Sequence, residues 1–223
     1  MNDKQTQPCK NCSPESGNTI EIDRKGNCPF CGRSVISPSE LSYSVMAKKE
    51  SQKKWDSYFH SICVTVSSKS PCLSRKIGAI LVKDHSVIST GYNGPSRGIP
   101  HCGHARLMKD EVMAEMLMLS PHTVEELQTI CPRKLLNYES GTHLELCPAQ
   151  HAETNCIANA ARLGTNVLNS TLYMNSIIPC KNCFGALINA GIAEIVIDSA
   201  EVYDKHTQFL IDNSIISIRE FEK

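Results

Sequence analysis

The sequence predicts an α/β protein, a sheet covered by helices, behind a small cysteine-bound N-terminal module. Three observations carry that expectation. From about residue 149 helical and strand patterns alternate: a helix over 149–163, a strand at TLYMNS (171–176), a helix over 180–190, a strand at EIVID (194–198), a helix over 203–212 and a strand at SIISIREF (214–221). Before this region, the β-branched runs IGAILVK (77–83) and SVISTGY (86–92) are joined only by Asp84 and His85, a hairpin by length although the turn lacks glycine. Earlier still, Trp55, Tyr58, Phe59, Ile62, Cys63 and Val66 recur at helical spacing, which predicts an amphipathic helix over 51–68.

The remaining segments are irregular. Residues 95–147 carry Pro, Gly, His and Cys around a Met-rich, helix-compatible stretch, ARLMKDEVMAEMLMLS (105–120), and read as an insertion within a domain spanning 39–223. Residues 1–38 read as a zinc ribbon. Cys9, Cys12, Cys28 and Cys31 have the C-x2-C-x15-C-x2-C spacing of a four-thiolate site, and Gly32 follows the second pair as knuckle turns do. TIEIDRKG (19–26) reads there as a strand entering a turn, and Ser37, Pro38 and Ser39 as a linker to the larger domain.

Composition narrows the function classes. Of 223 residues, 41% are hydrophobic and 21% charged, ordinary for a globular protein. No apolar run is long enough to span a bilayer, and the first residues lack the pattern of a secretion signal, so a cytoplasmic protein without membrane contact is expected. Lys and Arg number 23 and Asp and Glu 23, a net charge of +0, which disfavours long nucleic acid and leaves room for a local pocket taking one phosphate. With 12 cysteines and no secretion signal, several in C-x-x-C units, metal ligation is expected ahead of disulfides, and zinc ahead of other metals.

PCKNC occurs twice, at 8–12 and 179–183. The first copy is completed by Cys28 and Cys31 into a closed cage. The second opens a helix next to the one opened by His151, Ala152 and Glu153, so His151, Cys180 and Cys183 make a three-ligand set that leaves one position for water. Glu153, two residues from the histidine, is placed to move protons rather than bind metal.

H-x-E followed by P-C-x-x-C is the pattern of zinc-dependent nucleobase deaminases, and about residues 70–221 resemble the cytidine/deoxycytidylate deaminase superfamily. Within it, CLSRKIGAILVKD and STGYNGPSRGIPHC (89–102) are similar to the deoxycytidylate deaminases. The resemblance implies a three-layer α/β/α cytidine deaminase-like fold on a central mixed five-stranded sheet. It also implies hydrolysis of dCMP to dUMP and ammonia, with action on dCTP and control by dCTP and dTTP as extensions. Asn93 would contact the sugar, and Gly91, Tyr92 and Gly94 would belong to a loop for the regulatory nucleotide, whose triphosphate would bring magnesium. Backbone groups near Ala152 and Ile178 would hold the base edge. Arg75, Lys76 and Arg97 are the cations nearest in sequence for the phosphate, with Arg75 the first choice.

Some members of the family carry a further structural zinc, and Cys72, Cys102, Cys131 and Cys147 fall where its ligands would be, with His101, His104 and His143 as rivals. Cys63 and Cys156 read as core. A homo-oligomer, a hexamer by resemblance, would use MAEMLML as its apolar contact. The alternative function is a tRNA or single-stranded DNA deaminase recruited by its ribbon; the neutral charge and the GYNG loop count against it.

Overall fold

The computed structural model describes residues 6–7, 20–21, 27–28, 31, 38–119, 121–139, 141–202 and 205–222. The chain divides into two units, 1–54 and 55–223. In the first, β1 (Thr6–Gln7) pairs antiparallel with β2 (Ile20–Glu21), which falls within the expected strand. Cys28 is buried and Cys31 exposed, while Cys9 and Cys12 lie outside the described residues. Helix α1 (Pro38–Ser67) begins where a linker is expected at 37–39 and is 30 residues long. Proline is at home in the first turn of a helix, where its missing N–H has no partner to lose.

In the second unit, Asp56, Phe59, Cys63 and Ser67 form the buried stripe of α1. Tyr58, expected in that stripe, is 53% exposed. The hairpin follows, β3 (Gly78–Lys83) and β4 (Ser86–Tyr92), then β5 (Gly94–Pro95). Asp84 and His85 both take positive φ, 49° and 57°, the conformation a two-residue hairpin turn needs to match strand twist. The Trp55 ring stacks on His85 at 4.3 Å.

The insertion folds as α2 (His104–Leu107), α3 (Glu111–Met118), α4 (Val124–Thr129), α5 (Pro132–Leu135) and a 3-10 turn at Leu144–Leu146. The Met-rich run is thus two helices. Asp110 divides them, because its carboxylate accepts the Met113 N–H at 3.0 Å and caps α3. The chain then alternates through β6 (Ala149–Gln150), α6 (Ala152–Arg162), β7 (Thr171–Met174), α7 (Lys181–Asn189), β8 (Glu194–Ile197), α8 (Lys205–Asp212) and β9 (Ser217–Glu220).

The main sheet has five strands in the order β4-β3-β7-β8-β9. β3 runs antiparallel to β4 and β7, whereas β7, β8 and β9 are mutually parallel, the mixed sheet that the resemblance implies. Side chains alternate across it. Ala79, Leu81, Leu172, Met174, Ile195 and Ile197 pack with residues of α6 and α7, and Leu210 and Ile211 of α8 join them. Ile80, Val82, Tyr173 and Val196 face Phe59 and Cys63 of α1. The period of two along each strand therefore yields three layers.

One polar network lies inside this packing. Asp56 is fully buried and accepts from Arg219 through both oxygens, at 2.5 and 2.9 Å, while Arg219 Nε donates to Glu194 at 2.8 Å. The Arg219 fork ties α1 to β8 and β9 through charge-assisted hydrogen bonds.

Gly91 shows how closely the layers approach. A Cβ there would lie 2.4 Å from both the Ala152 carbonyl oxygen and the Cys156 nitrogen of α6, so only glycine lets this helix settle on β4. We expect Gly91→Ala to lower unfolding stability by about 1–3 kcal/mol, measured by urea denaturation. Unchanged stability would mean that the glycine does not serve packing.

Candidate active site

β6 pairs antiparallel with β5, Gly94 opposite Gln150 and Pro95 opposite Ala149. This short ladder delays the expected helix from residue 149 to residue 152 and leaves His151 as its N-cap, with extended backbone at φ −74° and ψ 157°. Cys180 is the corresponding N-cap of α7, at φ −64° and ψ 163°. Cys156 of α6 and Phe184 and Leu187 of α7 are fully buried in the cluster that packs on the sheet. The two helix starts are thereby held side by side.

The result is a compact donor set. His151 Nδ1 lies 3.5 Å from Cys180 Sγ and 3.3 Å from Cys183 Sγ. Among the described residues, His151, Cys180 and Cys183 are the group of potential ligands whose donor atoms all fall within 4.8 Å of one another. Zinc bonds of about 2.0–2.3 Å in a tetrahedron set neighbouring ligand atoms roughly 3.5–3.8 Å apart, so one imidazole and two thiolates at these separations fit zinc.

Charge in the site is shaped by burial and by the helix starts. A hydrogen bond from Cys183 holds the Cys180 sulfur far below the usual thiol range, to about 3, with help from the Cys183 backbone N–H and from His151. The same bond, with burial, pushes Cys183 up. His151 is raised chiefly by its bond to Cys180. Glu153, in the first turn of α6 and 4% exposed, is raised by desolvation first, partly offset by its own backbone N–H and by His151.

These residues open on a cavity of about 510 Å³. Of the residues expected at the substrate, Asn93, Ala152, Ile178 and Arg75 all line it. Asn93 is buried and clamps the loop ahead of β3: its Oδ1 accepts the Ile77 N–H and its Nδ2 donates to the Arg75 carbonyl, both at 2.8 Å. Lys76 is not among the lining residues. Arg97 is turned elsewhere, donating to Asn159 Oδ1 at 3.0 Å. In the loop expected to take a regulatory nucleotide, Gly91 and Gly94 are buried and Tyr92 is 41% exposed. Gly94 packs against Pro71, whose Cδ would sit 3.2 Å from an added Cβ.

Cys72, Cys102, Cys131 and Cys147 surround a second, small space of about 30 Å³, together with His101. No three of their sulfurs draw within 4.8 Å of one another. His104 does not line that space, nor does His143, whose ring stacks on Tyr138 at 3.8 Å. Arg106, 6% exposed, points Nη1 at Cys102 Sγ at 3.7 Å and bonds Asp110 and the Leu146 carbonyl. Cys63 and Cys156 are both fully buried in the core, as expected.

Several lining residues escape sequence reasoning. Ser74, Gln150, Ser176, Asn182 and Arg133 also face the large cavity. Asn182 lies inside the second PCKNC, a placement visible in the motif. Arg133 lies in the insertion, more than a dozen residues before His151, and only the fold brings it there.

The description "cytidine and deoxycytidylate deaminase zinc-binding region" matches residues 53–199. The deoxycytidylate deaminase of Saccharomyces cerevisiae is 27% identical over 208 residues, covering 91% of this chain and 56% of that protein. The deoxycytidylate deaminase of Schizosaccharomyces pombe is 29% identical over 169 residues, covering 75% and 44%. The deoxycytidylate deaminase of Enterobacteria phage T4 is 35% identical over 153 residues, covering 65% and 77%. This chain spans about half the length of the first two. With His151, Glu153, Cys180 and Cys183 all inside the matched segment, the chain belongs to the cytidine and deoxycytidylate deaminase family, characterised by its zinc-binding region.

Proposed function

We propose that this chain hydrolyses dCMP to dUMP and ammonia. The observation that carries the reading is a carboxylate, Glu153, buried in the wall of a nucleotide-sized cavity beside a three-donor metal site. Three relatives at 27%, 29% and 35% identity are named deoxycytidylate deaminases, which favours dCMP among cytosine substrates.

His151, Cys180 and Cys183 are the zinc ligands in this reading. When bound, the ion supplies the field that brings the pKa of a water toward neutrality. Glu153 accepts a proton from water, delivers it to ring N3 and later carries one to the amino nitrogen, which leaves as ammonia. A C–O bond forms at C4 and the C–N bond breaks. Burial raises the proton affinity of Glu153, which suits a carboxylate that holds a proton between two transfers. Backbone groups at Ala152 and Ile178 hold the base edge, and the remaining amide hydrogen of Asn93 serves the sugar. Arg75 reaches toward the phosphate.

Further zinc sites belong to the same proposal. Cys9, Cys12, Cys28 and Cys31 bind one ion as a ribbon. Cys72, Cys102, Cys131 and Cys147 bind another, supported by their convergence on one 30 Å³ space, with the loops contracting to bring four sulfurs into bonding range. Control by dCTP and dTTP would engage the loop through exposed Tyr92, with magnesium on the triphosphate. Met118 and Leu119, 83% and 87% exposed, supply an apolar surface for a homo-oligomer. No helix among the described residues is long and apolar enough to cross a membrane, in keeping with a cytoplasmic enzyme.

Two outcomes are expected. Purified protein releases ammonia from dCMP, and Glu153→Gln lowers kcat by at least about 100-fold while zinc content is retained; activity that survives the change removes the proton-transfer role. Turnover confined to single-stranded oligonucleotide would favour a nucleic-acid deaminase instead. Elemental analysis is expected to return three zincs per chain, and a value of one would remove both structural sites.

A further inference from the structure

We infer that Arg133, carried into the cavity by the insertion, is the specificity-determining residue for the substrate's phosphate. The inference rests on the nucleotide reading above and names which cation makes that nucleotide a monophosphate. Arg133 belongs to α5, two residues after Cys131. With Gly141, Leu144 and Cys147 it lines the 510 Å³ cavity that His151 and Glu153 also line, and it borders the small cysteine-lined space as well. The insertion is therefore part of the site.

The bonding of Arg133 points to a ligand. A guanidinium has five N–H donors and no acceptor. Nη1 donates to the Thr142 carbonyl, which anchors one edge of the group. Nε is buried and has no hydrogen-bond partner among the described residues. A buried donor without an acceptor is costly to maintain, and in a cavity wall the natural acceptor is the ligand.

Charge points the same way. Among the described residues, the ionisable side chains lining the cavity, apart from the metal donors and the cysteines, are Arg75, Arg133 and Glu153. Glu153 is committed to proton transfer in the proposed reaction, so two guanidiniums remain for a dianion. Glu145 feels the charge of Arg133, yet it is 70% exposed and its oxygen lies 3.1 Å from His143 Nδ1. It leaves the fork of Arg133 open. A planar fork meets two phosphate oxygens at once, which a lysine cannot do.

The phosphate contact predicts a discrimination. A nucleoside without phosphate leaves Nε unsatisfied, whereas a monophosphate fills it. Arg133→Ala is expected to raise KM for dCMP by about 10- to 100-fold and to leave kcat/KM for deoxycytidine unchanged, so the preference of the enzyme for the phosphorylated substrate collapses. Arg133→Lys retains the charge, loses the fork and falls between. The deoxycytidine measurement also reports on folding: a parallel loss on both substrates, or no change on either, overturns the assignment. Equilibrium titration with dUMP and with deoxyuridine decides the point independently of catalysis. The wild type is expected to bind dUMP at least about 10-fold more tightly than Arg133→Ala, and equal dUMP binding sinks the inference whatever the turnover. A wild type that binds dUMP but releases no ammonia from dCMP would count against the proposed reaction and leave the role of Arg133 standing.

Discussion

Everything at the site depends on two helices starting at the same place above the sheet. His151 and Cys180 are N-cap residues of α6 and α7, and Cys183 lies in the first turn of α7. Neither helix is long enough to be stable on its own in water. Both are held by Cys156, Phe184 and Leu187, all fully buried in the cluster that includes residues of β3, β7 and β8, and by a glycine at 91 that lets α6 approach β4 to within backbone contact. Hydrophobic burial, which has no direction of its own, here sets His151 Nδ1 at a distance from each sulfur within a few tenths of an ångström of what a tetrahedral ion requires.

That packing also sets the electrostatics. A carboxylate at the first turn of a helix would normally enjoy water and the positive helix end. Glu153 has the helix end without the water, because the same cluster that seats α6 closes over its first turn. Desolvation then dominates and its proton affinity rises. Cys180 sits in the opposite situation: half-buried, bonded by a neighbouring thiol, a backbone N–H and an imidazole, its sulfur is held as a thiolate. A carboxyl group of raised proton affinity and a soft anionic donor thus line one cavity through different balances of burial and hydrogen bonding.

Much of this was legible in residues with strong local signals. The alternation after 149, the short 84–85 turn and the spacing of His151, Glu153, Cys180 and Cys183 each depend on a few neighbouring residues, and the sheet and donor set agree with them. Less legible were features decided at long range. Asp56 sits on what reads as an apolar face, and only the return of β9 supplies Arg219 opposite it. The start of α6 moved by three residues because Gly94 and Pro95, more than fifty positions earlier, pair with Ala149 and Gln150. The Met-rich run reads only as helix-compatible by composition, and a local cap at Asp110 divides it into two helices. Arg133 had no pattern around it, and its place in the cavity is a product of the fold of the insertion.

The insertion changes how the molecule is understood. It is irregular, built of short helices, and its Arg133 and Cys147 border both the small cysteine-lined space and the large cavity. His151, Glu153, Cys180 and Cys183 rest on helices seated on the sheet, while Arg133, Gly141, Leu144 and Cys147 bring short helices and loops of the insertion to the same cavity, the usual division between a rigid scaffold and variable connections. The central claim is that apolar packing of α6 and α7 assembles the donor set. Amide hydrogen exchange on chelated protein tests it most directly: protection across Ala152–Arg162 and Lys181–Asn189 is expected to persist after the metal is stripped, whereas exchange of both helices at unfolded-chain rates would show that the ion, and not the core beneath it, holds them in place.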